Sequence, residues 1–311
     1  MCGIAGIIHR GKSSNVGSEM TAMLAALKHR GPDSSGFAVY GEPKSGHYLM
    51  RIKVAEQEDM GKGHGIMKLM EERTGEVDKL LLEYGANIKE QDKPTPYALR
   101  YVIQHDGDTE GMVRRLEEID GVEILSLGSG LELIKDLGDA TVVSEQYGLG
   151  TFEGTHAIGH TRMATESDVD IRSAHPYWAF PYSDISVVHN GQITNYWTMR
   201  REMERMGHRF MSDCDSELLA VYTAHNLANG WKLEDSLKQS VDEIDGVFTY
   251  LIATRDELGM AKDSMAAKPL VLFEGDNLIA MASEEVAIRS IIPQEIDTYD
   301  PYDEEVRVWK T

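Results

Sequence analysis

The chain has 311 residues, 31 of them basic and 52 acidic, which gives a net charge of −21 with 41% apolar side chains. That balance is enough to close a sizeable core and excludes disorder as the ground state, and the acidic excess argues against DNA or RNA as the main partner. No apolar run approaches the roughly 18–20 residues of a membrane-spanning helix. The amino-terminal stretch has no basic region followed by a long apolar one, so secretion is not expected and a reducing, cytoplasmic setting is.

Residues 3–8 form a short apolar run bounded by His9-Arg10-Gly11 and read as a buried strand, with Cys2 at its lip. Met20, Met23, Leu24 and Leu27 then recur at helical spacing, with Ser18 as candidate N-cap and Gly31-Pro32 as the stop. Strands are expected at 37–40 and 48–54 around a turn-rich Gly41-to-Gly46 segment. Residues ~56 to ~145 change character: a charged helix at 67–84, a loop containing Pro94 and Pro96, a strand at 97–104, a helix at 109–119 and a strand at 122–127. This block is expected to be an inserted small α/β lobe of unassigned purpose.

From His156 the pattern is strand-rich, with strands expected at 156–163, 185–189, 247–254, 259–262, 270–273 and 278–282. Helices fall between them: one capped by Asn195 with Tyr196, Met199, Met203 and Met206 apolar, one opened by Asp215 and ending at Gly230, and one carrying Leu233, Leu237, Val241 and Ile244. Strands and helices in separate runs favour an α+β layered domain. The acidic residues 293–311 are expected to form a surface extension.

Cys2 and Cys214 are the two cysteines, too few for a zinc-finger set, and the 11 histidines show no HExxH spacing, so free thiols and no structural metal are expected. Cys2 carries the chemical interest. Removal of Met1 would leave a cysteine with a free α-amine, placing a thiol of pKa about 8.5 beside an amine of about 7.7–8.0 that can take its proton. Five strings keep it company: Met1-Cys2-Gly3-Ile4-Ala5-Gly6, His29-Arg30-Gly31-Pro32-Asp33-Ser34-Ser35-Gly36, Gly159-His160-Thr161-Arg162-Met163-Ala164-Thr165, His189-Asn190-Gly191-Gln192-Ile193-Thr194-Asn195 and Asp213-Cys214-Asp215-Ser216-Glu217.

In this order the series resembles the class II glutamine amidotransferase domains, which belong to the N-terminal-nucleophile hydrolases. The resemblance covers residues 1 to ~54 and ~150 to ~292. It implies a four-layer αββα sandwich with Cys2 as nucleophile, Asn190 and Gly191 as the oxyanion hole, and Arg162, Thr165 and Asp215 as the groups that grip glutamine. Each role has a physical rationale. A guanidinium can hold the α-carboxylate bidentately, an aspartate can take the α-ammonium, and an amide with a glycine N–H can meet the developing oxyanion. The bland alternatives are a surface ion pair for Arg162, an N-cap for Asp215 and a simple turn for Asn190-Gly191. The His29-to-Gly36 string is read as scaffolding, Cys214 as a structural thiol, and the Met199, Met203, Met206 stripe as core.

Residues Met163-Ala164-Thr165-Glu166-Ser167 and Ala174-His175-Pro176-Tyr177 resemble the free-standing amidotransferase subunits of glutamate-synthase-like enzymes, including N-methylglutamate synthases. That implies an ammonia-accepting synthase in a separate polypeptide carrying FMN and an iron–sulfur centre, joined in a hetero-oligomer, with no cofactor in this chain and the inserted lobe as a docking surface. The sequence lacks an SGGxDS-type loop for ATP-dependent activation. Two other readings stay open: an N-terminal-nucleophile hydrolase acting on another amide, and a non-catalytic regulatory or docking subunit.

Overall fold

The computed structural model describes residues 2–43, 45–55, 59, 65–163, 171–172 and 174–311. In chain order the strands are β1 (Gly3–His9), β2 (Ser34–Tyr40), β3 (His47–Lys53), β4 (Asn87–Thr95), β5 (Ala98–Gln104), β6 (Glu123–Gly128), β7 (Leu131–Leu137), β8 (His156–Arg162), β9 (Tyr177–Trp178), β10 (Ser186–Ile193), β11 (Gly246–Ala253), β12 (Glu257–Lys262), β13 (Val271–Glu274), β14 (Leu278–Ala282) and β15 (Val306–Lys310). The helices are α1 (Val16–Ala26), α2 (Gly65–Glu83), α3 (Thr109–Leu116), α4 (Ala140–Tyr147), α5 (Tyr196–Arg205), α6 (Asp215–Ala228), α7 (Leu233–Glu243) and α8 (Glu285–Arg289).

Two antiparallel sheets face each other, ordered β13-β14-β1-β8-β2-β7 and β15-β12-β11-β10-β9. Ile4, Ile8 and Ile158 of the first share an apolar cluster with Val188, Leu251 and Met260 of the second. α1, α4 and α8 cover the outer face of the first sheet and α5, α6 and α7 that of the second. The result is the four-layer αββα arrangement. β1 lies between a helix layer and a sheet, so all seven of its residues are buried, which is why its sequence is a continuous apolar run.

The lobe has other boundaries than 56–145. β3 leaves the body to form a third antiparallel sheet, β4-β5-β3-β6, packed with α2 and α3, whereas β7 pairs along its whole length with β2 and α4 packs on α1. The lobe therefore runs from about 47 to 128. Its apolar residues Met50, Leu99 and Met112 belong to the same cluster as the space between the two body sheets, so its core is continuous with that of the body.

Five further expectations are corrected. The segment read as a loop around Pro94 is β4, which is polar and lies at the edge of the lobe sheet, where a proline costs no ladder bond. α1 is capped by Asn15, whose side chain accepts from Ser18 N at 3.0 Å. Asn195 stands at the start of α5, but its side chain bonds Glu243 O and Asp245 N instead of capping the helix. The carboxyl-terminal residues do not form a mere surface extension: β15 pairs with β12 and closes the edge of the second sheet, with Trp309 buried and its Nε1 donating to Glu274 at 3.0 Å. The signal was composition alone, the β-branched Val306 and Val308 and the aromatic Trp309 in a tail otherwise dominated by charge. Of the expected methionine stripe, Met199 and Met203 on α5 are core, but Met206, which caps the end of that helix, is exposed.

Candidate active site

Cys2 lies immediately before β1, whose Gly3 pairs with Thr161 on β8. Its carbonyl oxygen accepts from Arg30 Nε at 3.0 Å and from Asn190 Nδ2 at 3.2 Å, and its Sγ stands 3.9 Å from Met163 O. Arg30 is in turn paired with Glu284 at 2.6 Å. The string read as scaffolding thus supplies an arginine that fixes the backbone of the nucleophile.

Cys2 lines a cleft of about 690 Å³ with Arg162, Asn190, Gly191 and Asp215. Four elements converge there: the start of β1, the end of β8, the middle of β10 and the first turn of α6. Thr165 lies outside the described residues, as do Ala164, Glu166 and Ser167. Gly191 has φ +149°, and a Cβ there would run into Val247 O and sit 2.7 Å from His189 Nε2, so the position accepts only glycine. Asn190 is buried, and its amide also reaches Ser283 Oγ at 3.3 Å.

Asp215 is the first residue of α6, and Cys214 occupies the cap position. The Asp215 carboxylate does not cap its own helix: Oδ2 accepts from Ile193 N on β10 at 2.9 Å, while Oδ1 stands 3.3 Å from Ser216 Oγ. It therefore straps the helix start to the strand that carries Asn190 and Gly191. The loop preceding it is braced by Glu217, a buried carboxylate accepting from Met211 N, Ser212 N and Ser212 Oγ. Both cysteines are free, and burial pushes the Cys214 thiol up, with Asp215 adding to the shift.

Beneath the cleft lie residues of the same strings to which the resemblance gives no role. His160 and His175 stack with ring centroids 4.2 Å apart, and Ser216 Oγ lies 2.7 Å from His175 Nε2 and 2.8 Å from His189 Nδ1. Burial pulls His160 down to about 3 and also lowers His175, with other potential cations near both, and it lowers His189 against the opposing pull of the Asp215 carboxylate, so all three are neutral imidazoles at neutral pH. The available signal was strand periodicity: His160 is two residues from Arg162 and shares its face of β8.

A family model described as a glutamine amidotransferase domain matches residues 160–290, and a second of the same description matches 1–73. A Methanothermobacter thermautotrophicus protein that bears a glutamine amidotransferase name is 39% identical over the full length of both chains. The glutamine amidotransferase-like protein GlxB of Rhizobium meliloti is 30% identical, covering all of this chain and 95% of its own. The chain belongs to the glutamine amidotransferase family, in its class II, N-terminal-nucleophile branch. In fold it resembles the glutamine phosphoribosylpyrophosphate amidotransferase of B. subtilis, with a TM-score of 0.61 at 17% identity, matching 99% of this chain but about half, 47%, of the length of that one.

Proposed function

We propose that this chain is a glutaminase subunit that hydrolyses L-glutamine to L-glutamate and ammonia through a thioester on Cys2. The observation that carries the reading is the convergence of Cys2, Asn190, Gly191, Arg162 and Asp215 on one cleft. A guanidinium and a carboxylate in the same site suit the two charges of a free amino acid, which favours glutamine over an amide lacking them.

Removal of Met1 frees the α-amine of Cys2, which takes the thiol proton. The thiolate attacks the side-chain amide carbon, and the oxyanion that forms is met by the Asn190 amide and the Gly191 N–H. The α-ammonium gives its proton to the departing nitrogen, so ammonia leaves and a glutamyl thioester remains. Water, deprotonated by the same amine, opens the thioester to glutamate and restores the thiol. With Met1 attached, that nitrogen is an amide and cannot act as the base.

We assign the use of the ammonia to a synthase in a separate polypeptide, a reading supported by every element among the described residues belonging to the sandwich or to its lobe. The likeness of the Ala174-to-Tyr177 string to glutamate-synthase-like and N-methylglutamate-synthase-like subunits supports a partner that carries FMN and an iron–sulfur centre, with the lobe as its docking face. Among the described residues no helix is long and apolar enough to cross a membrane.

The test is intact mass before and after 6-diazo-5-oxo-L-norleucine, with Cys2→Ala in parallel. Loss of Met1 and a single adduct, absent from Cys2→Ala, are expected. A protein lacking Met1 that takes up no label and releases no ammonia from glutamine, alone or with its partner, overturns the reading.

A further inference from the structure

Ser216 is the second residue of α6 and is 1% exposed. Its Oγ touches three groups: His175 Nε2 at 2.7 Å, His189 Nδ1 at 2.8 Å and Asp215 Oδ1 at 3.3 Å. A hydroxyl has one proton to give and two lone pairs with which to accept, whereas a carboxylate can only accept. One arrangement makes hydrogen bonds of all three contacts: both imidazoles donate to Oγ, and Oγ–H points at Asp215.

Any other arrangement does worse. Turning the hydroxyl proton toward either ring leaves Oγ facing Asp215 with a lone pair. It also moves that ring's proton to its far nitrogen, His175 Nδ1 or His189 Nε2, and both atoms are buried without a hydrogen-bond partner among the described residues. A buried N–H with nothing to donate to is the costlier orphan. An imidazolium would put a proton on the same atom.

We propose that Ser216 is a positioning residue, which collects an N–H from His175 and from His189 and donates to Asp215, so that the ammonium-binding carboxylate is held in register with the oxyanion strand. The inference rests on the glutamine site proposed above. The coupling is physical at both ends. His189 is the residue before Asn190, and its Nε2 lies where a Cβ on Gly191 would be only 2.7 Å away, so the ring packs against the oxyanion glycine. The other Asp215 oxygen is bonded to Ile193 N, two residues farther along the same strand. One hydroxyl thereby links the two ends of the site, the ammonium at one and the developing oxyanion at the other.

The tautomers are read directly from long-range proton–nitrogen spectra of the intact protein labelled at histidine nitrogen. His189 is expected to be neutral and protonated at Nδ1, and His175 neutral and protonated at Nε2. Ser216→Ala is expected to raise KM for glutamine and to slow inactivation by 6-diazo-5-oxo-L-norleucine, each by about tenfold, the scale of one hydrogen bond to a charged group. Its kcat should change less, and alkylation of Cys2 by iodoacetamide, which has no ammonium to place, should keep its rate. A His189 ring protonated at Nε2, or a variant slowed equally toward both reagents, overturns the proposal. If the parent protein is not inactivated by the diazo reagent at all, it is the glutamine site that fails, and the tautomer spectra still decide the network.

Discussion

Two buried polar networks, one beneath the cleft and one at the root of the lobe, solve the same problem in opposite ways. Beneath the cleft, His160, His175 and His189 are stripped of water, and desolvation keeps them uncharged, at His189 even against the nearby Asp215 carboxylate. At the lobe root, Glu132 of β7 is 3% exposed and holds two lobe arginines: Arg51 Nε at 2.8 Å, and Arg100 through Nε at 2.9 Å and Nη2 at 2.8 Å. Burial alone would raise the Glu132 carboxyl, but the two guanidiniums outweigh it and hold the pKa below the ordinary glutamate value. Discharge suits a site floor that must orient dipoles without attracting counter-ions. Pairing suits a junction that must be rigid and need not react.

Removing one member from each network, or from the site above it, separates discharge from pairing. Cys2→Ala should have the largest effect, taking glutaminase activity down by about 10⁴-fold or more while leaving the fold intact; ammonia release and a thermal melt check both halves. At the lobe root, Glu132→Ala leaves the buried Arg51 guanidinium without its carboxylate and the half-buried Arg100 with Glu90 alone, and should cost about 3–5 kcal/mol in denaturant unfolding. Replacing Arg51, Arg100 and Glu132 together by apolar residues of similar size should recover most of that, because the loss comes from uncompensated charge. If the single and triple variants are equally unstable, the pairing argument fails. Gly191→Ala, by pushing on Val247 O and His189, should displace the oxyanion N–H and lower turnover by roughly 10² to 10³-fold, and should lower the melting temperature as well.

The smallest expected effect separates the two networks by pH. His160 and His156, the latter stacked on Tyr40, are lowered to about 3 and about 4 by burial, while the unfolded chain binds their protons near 6.5. The unfolded state therefore gains protons first as the pH falls through 6.5, and each histidine should cost about 2 kcal/mol of stability by pH 5. Glu117, pushed up to about 7 by burial, acts in the other direction over the same range, since its folded form takes up a proton before the unfolded one does. The decline should accordingly be steeper in Glu117→Gln than in the parent. Glu132, with a lowered pKa, contributes stability above the ordinary glutamate range and loses it only at more acidic pH. Histidine resonances that titrate near 6.5 in the folded protein would remove the distinction.

Much of the site was legible because its residues come in short contiguous strings. Arg162 closes a strand, Asn190-Gly191 lies within another where a turn was the bland reading, and Asp215 opens a helix, so each string holds its chemical group. The histidine and serine cluster was not legible in the same way. His160, His175, His189 and Ser216 come from β8, the segment before β9, β10 and α6, and they meet only when the two sheets stack and α6 lands on β10. β4 was not legible because an edge strand facing solvent carries no apolar alternation, nor was β15, whose VRVWK mixes apolar and charged residues on both faces.

The sequence by itself determined the local terms: helical periodicity in α1, α5 and α7, the buried apolar run of β1, a glycine where a side chain would collide, and a cysteine able to pair its thiol with its own amine. Tertiary structure alone decided where the lobe begins and ends, since strand pairing assigns β3 to one sheet and β7 to another. It also decided the charge states of the buried groups. Propensity and periodicity are properties of neighbours along the chain, whereas desolvation and the identity of a hydrogen-bond partner are properties of neighbours in space. Ser216 therefore reads as an ordinary helix-start residue in sequence and becomes the junction of three side chains only in the folded protein.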